Sequence, residues 1–83
     1  MTRDTISKSA RKNAVLAAAL RSRFGLSGAE TDIALALADG KDIVRIAQLR
    51  GVTPHTVRSQ LKAVFHKTGA RSQAQLVAIV LKL

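Results

Sequence analysis

Residues 50–69 read Arg50-Gly51-Val52-Thr53-Pro54-His55-Thr56-Val57-Arg58-Ser59-Gln60-Leu61-Lys62-Ala63-Val64-Phe65-His66-Lys67-Thr68-Gly69, and this stretch decides the fold. Gly51 suits a backbone turn with positive φ. Thr53 is a good helix N-cap, and Pro54 at the first helical position loses no hydrogen bond. The spacing predicts a helix over about 53–68, ended by Gly69. At 100° per residue, Val57, Leu61, Val64 and Phe65 fall within one arc of about 100°. His55, Arg58, Ser59, Lys62 and His66 fall within another arc of about the same width. One side is greasy and docks on a core. The opposite side carries two long cations, two imidazoles and a hydroxyl.

Upstream of the turn, Asp42 can cap a short helix over about 42–50 whose buried face is Ile43, Ile46 and Ala47. Two helices joined by Arg50-Gly51-Val52-Thr53 have the linker length of a helix-turn-helix. Further upstream, Ser27-Gly28-Ala29-Glu30 has the form of a capping box and opens a helix to about Asp39, with Ile33, Ala36 and Leu37 inward. Residues 1–8 are expected to form a flexible basic N-terminus. A separate N-terminal helix is expected over 9–25, where Leu16, Leu20 and Phe24 share one face. Downstream, Ser72-Gln73-Ala74-Gln75 is a second capping-box form, opening a last helix that runs to the C-terminus. Leu76, Val77, Ile79, Val80, Leu81 and Leu83 make that helix apolar on nearly every side.

The bulk numbers fit one small all-helical domain. The chain has 83 residues, 47% of them apolar, with two Phe as the only aromatics, one Pro and five Gly. The core must then be built from Ala, Val, Ile and Leu, and the scarcity of Gly and Pro favours helices. Fourteen Lys and Arg against five Asp and Glu give a net charge of +9. A surplus that large on so small a body favours polyanions, nucleic acid first. The charge is also polarised. Residues 26–40 hold Glu30, Asp32 and Asp39 and no cation, whereas residues 41–83 hold eight cations against Asp42 alone.

Several function classes are disfavoured. No cysteine is present, so disulfides and Cys-ligated zinc are excluded. His55 and His66 stand three turns apart on one helix, roughly 16 Å, too far to share a metal. The Ser residues have no evident His and Asp partners, and an enzyme is not expected. No cofactor or small-molecule ligand is suggested. No segment is long enough to span a bilayer. Residues 9–24 are basic and amphipathic, but their apolar face is mostly Ala, too weak for membrane insertion.

The ordered set of residues resembles the LuxR/FixJ/GerE-type helix-turn-helix domain of bacterial response regulators and quorum sensors. The pieces are Leu26-Ser27 with Glu30, Ala38-Asp39-Gly40, Ile46-Ala47, Gly51-Val52-Thr53, Thr56-Val57-Arg58, Lys67 with Gly69, and Gln75-Leu76-Val77. They span residues 26–83 without gaps. The resemblance implies a four-helix domain, here with an additional N-terminal helix, that binds double-stranded DNA and regulates transcription from the cytoplasm. Its third helix, about 53–68, would enter the major groove. Arg58, Ser59 and Lys62 match the base-facing positions. Thr53, Thr56 and Lys67 match positions near the phosphate backbone, and His55, Lys41 and Arg71 complete the expected phosphate contacts. The last helix resembles a dimerisation surface, with Val77, Val80 and Leu81 as its contacts in a homodimer. Where the family usually has Leu just before the turn glycine, this chain has Arg50. Either the supporting helix is slightly rotated or Arg50 is exposed near phosphate. No sensing or phospho-acceptor domain fits in the 25 preceding residues, which implies a free-standing regulator or a fragment. A rival expectation is a protein-interaction module similar to the promoter-binding end of sigma factors, with RNA polymerase or another regulator as partner.

Overall fold

A computed structural model describes the backbone of residues 2–83 and the side chains of residues 11–83. It contains five helices: α1 (Thr2–Phe24), α2 (Gly28–Ala38), α3 (Ile43–Arg50), α4 (Pro54–Thr68) and α5 (Gln73–Leu81). No strand occurs among the described residues, so the chain is all-α as its composition implies.

The helix ends are where local chemistry places them. Ser27 accepts from the Glu30 backbone N–H at 3.1 Å while the Glu30 carboxylate accepts from the Ser27 N–H at 2.8 Å, closing the capping box. The Asp42 carboxylate accepts from the Arg45 N–H at 2.8 Å and starts α3. Thr53 caps α4, and Pro54 sits in its first turn. Ser72 caps α5, but its box stays half-made. The Gln75 side chain accepts from the N–H of Arg71, one residue short of the cap, at 2.6 Å. At the other end α1 begins at Thr2, so the backbone is helical through 2–8, where a flexible segment was expected. No Gly or Pro interrupts the chain before Gly25, and nothing in that run stops a helix.

Helix α2 is the hub, with α1, α3, α4 and α5 all packed on it and α3 packed also on α4. The core is aliphatic. Leu20, Ile33, Ile46, Val57, Val64, Leu76 and Val80 are its largest fully buried apolar side chains, and both Phe sit half-buried at its edge. Leu20 places α1 in this same core, so the N-terminal helix is built into the domain. The inward stripe of α4 is the expected one, with Val57, Leu61 and Val64 buried and Phe65 half-buried. On α3 the stripe continues through Ile43, Ile46 and Ala47 to a half-buried Arg50, leaving Leu49 exposed.

Gly51 makes the turn between α3 and α4 with φ +68 and ψ 33. A Cβ there would meet nothing within 4 Å, so the cost of a side chain is backbone strain alone. Gly51→Val should therefore destabilise the domain by about 1–2 kcal/mol, the usual penalty for an L-residue in the left-handed region. For a domain of this size that lowers the melting temperature by roughly 4–16 °C. An unchanged thermal melt would refute the strain.

Candidate nucleic-acid interface

Helix α4 presents its polar face outward. Its buried back fixes the roll of the helix about its own axis, which sends His55, Arg58, Ser59, Lys62 and His66 to the surface, all exposed. None of these five side chains makes a hydrogen bond or ion pair within the described residues. Arg58 and Lys62, four residues apart, are neighbours on the same face. Their charges are uncommitted, and nothing in the chain covers them.

The residues expected at phosphates divide into two groups. His55 and Arg71 are exposed, and Arg71 carries no ion pair. The others are engaged inside the chain. Thr53 spends its hydroxyl oxygen on the cap, accepting the Thr56 N–H at 3.2 Å and lying 3.0 Å from the Thr56 hydroxyl. Thr56 is half-buried. Lys41 pairs with Asp39. Lys67 donates to Glu30 at 2.7 Å and reaches the Gly25 carbonyl at 3.4 Å. The ammonium of Lys67 is thus a tie between the C-terminal end of α4 and the N-terminal end of α2, and its assignment as a free phosphate contact is corrected accordingly. Arg50 is corrected too. It is half-buried and donates to Asp32 at 3.0 Å, while its Nε is buried without a partner. Arg45, in the first turn of α3, is a further exposed cation without an ion pair that the sequence reading passed over. Its signal was the capped helix start beside the turn.

The expected dimer contacts separate in the same way. Val80 is fully buried in the chain's own core and is not available to a partner. Val77 is half-buried, whereas Leu81 stands 64% exposed. Helix α5 is nine residues long, and its best-packed face is already used against α2.

Glu30 repeats at the electrostatic level what Lys67 does sterically. Its carboxyl is held below the ordinary glutamate range, first by the hydrogen bond from Lys67 and then by the Ser27 N–H, against an opposing desolvation penalty. The folded state therefore binds its proton less readily than the unfolded state. Stability from this group is complete above the unfolded pKa and is lost as the pH falls through the folded value. Glu30→Gln should lower stability at neutral pH and flatten that acid loss, read from urea midpoints across an acidic pH series. Parallel pH profiles for the two proteins would exclude the coupling.

Among the described residues no group of His, Asp and Glu is arranged to hold a metal ion, and no helix is long and apolar enough to cross a membrane. The chain matches no family model, no curated protein and no solved structure.

Proposed function

We propose that this chain is a sequence-specific, double-stranded-DNA-binding regulator of transcription, acting in the cytoplasm as a LuxR-type helix-turn-helix domain with an additional N-terminal helix. The observation that carries the reading is the uncommitted face of α4, where Arg58, Ser59 and Lys62 stand exposed opposite the buried Val57, Leu61 and Val64. A helix held from behind, preceded by a short helix and a tight glycine turn, can lie in a major groove. Arg58 and Lys62 then donate to guanine O6 and N7, and Ser59 bonds to a neighbouring base edge. Phosphates flank the groove and are met by His55, Arg71 and Arg45, the cations and donors not consumed inside the fold. The acidic residues are used elsewhere. Glu30, Asp32 and Asp39 are each paired with a cation, so they do not oppose a polyanion at the α4 face.

Titration of the purified chain with labelled duplexes at several salt concentrations tests the reading. If about four to six phosphates are neutralised, the logarithm of the binding constant should fall against the logarithm of salt with a slope of roughly −4 to −5. A selected duplex should also be preferred over a shuffled one at every salt concentration. Absence of duplex binding in dilute buffer would overturn the proposal. Salt-insensitive capture of RNA polymerase, with no DNA affinity, would put the protein-interaction reading in its place.

A further inference from the structure

We infer that the groove between α1, α2 and α5 is the docking site for a second copy of this chain. Leu16, Leu35 and Ala38 form its apolar lining, and Leu81 stands at its edge with most of its side chain in solvent. The void measures about 230 Å³. A dry cavity of about 150 Å³ admits a benzene ring, so this groove admits a leucine side chain. The same surface therefore carries both a projecting leucine and a recess that fits one. Self-complementarity of that kind is what a twofold interface requires, because each copy presents the identical patch to the other.

Charge selects the occupant. Lys12 lies on one rim of the groove and Asp39 on another. Turned about a twofold axis, the Lys12 of each copy faces the Asp39 of the other. Two bodies of +9 repel wherever their cationic faces meet. At this rim a cation and an anion offset each other, so a second copy can approach here. A polyanion finds no surplus of positive charge at this rim, and that ligand belongs at the α4 front. Helix α1 thereby takes the part that α5 cannot fill alone, since Val80 is spent on the core. The inference rests on the DNA-binding reading for its consequence only: two α4 helices presented together, and hence a pair of twofold-related half-sites.

Analytical ultracentrifugation of the whole chain without DNA tests it. A reversible dimer is expected, tightened by added salt as the like-charge repulsion is screened. DNA binding should move the opposite way with salt. Leu81→Glu should weaken self-association about thirtyfold or more, the loss typical of a central interface residue. Lys12→Glu and Asp39→Lys should each weaken it, and the two together should restore it. Ala14→Glu, roughly 160° around α1 from Leu16, should leave it unchanged. Circular dichroism and thermal melts of every variant establish that the fold is kept. A chain that sediments as a monomer at all concentrations, a Leu81→Glu variant that pairs as tightly as its parent, or a charge reversal without recovery would each overturn the inference. A monomer that still binds a single half-site defeats this inference alone, whereas a dimer indifferent to DNA defeats the DNA-binding reading alone.

Discussion

Alanine at Arg58 or at Lys62 is expected to cost specific duplex binding about 1–3 kcal/mol each, roughly 5- to 150-fold in the dissociation constant. The fold should be untouched. Both side chains are exposed and make no contact of their own within the described residues, so circular dichroism and melting temperature should match the parent. The two positions are adjacent on one helix face, so the double variant need not lose the sum of the single losses. Its diagnostic feature is loss of discrimination, with preferred and shuffled duplexes bound alike. Arg71→Ala should behave differently. It should weaken all duplexes to a similar degree and reduce the salt slope by about one unit, the signature of a phosphate contact. Gel-shift or anisotropy titrations on both duplexes separate the two patterns. Unchanged preference in the double variant would remove α4 from base recognition.

How much of this was legible in the sequence depends on how local each cause is. Ser27 with Glu30, Asp42, Thr53 with Pro54, and Gly51 each settle a helix end through bonds to residues no more than three or four away, and the spacing alone reveals them. The roll of α4 was legible for a related reason: its apolar residues recur with the helical period, so one face is marked. Helix α5 is apolar nearly all round and carries no such mark. Nothing in Val77, Val80 and Leu81 told that Val80 turns inward and Leu81 outward, because that choice is made by where α2 happens to lie. The ion pairs were hidden for the same reason. Glu30 meets Lys67 across 37 positions and Asp32 meets Arg50 across 18, and no spacing rule reaches that far. Glu30 was read correctly as half of a capping box, but its second bond, to Lys67, exists only once α2 and α4 are packed. The cations left for DNA are those that tertiary pairing does not consume, which explains why the base-facing set was easier to read than the phosphate set.

Leu20→Ala should cost the domain about 2–5 kcal/mol, as expected for a leucine cut back to alanine in a core that relaxes only in part. Leu20 lies in α1 but is fully buried among side chains of the four other helices' core. The total stability of such a small domain is about 5–15 kcal/mol, so a large share of it would go. At roughly 4–8 °C per kcal/mol, a loss of 3 kcal/mol lowers the melting temperature by about 12–24 °C. Val15→Ala is the control. Val15 is on the same helix but 68% exposed, and its truncation should change stability by less than about 0.5 kcal/mol. The comparison decides whether α1 is a wall of the domain or an appendage. If Leu20→Ala melted with its parent, α1 would be dispensable and any groove it forms with α2 and α5 would have no fixed shape. If it melts far below, the N-terminal helix is held rigidly against α2 by its own leucine. The surface between them is then as well defined as the α4 face that the same core supports.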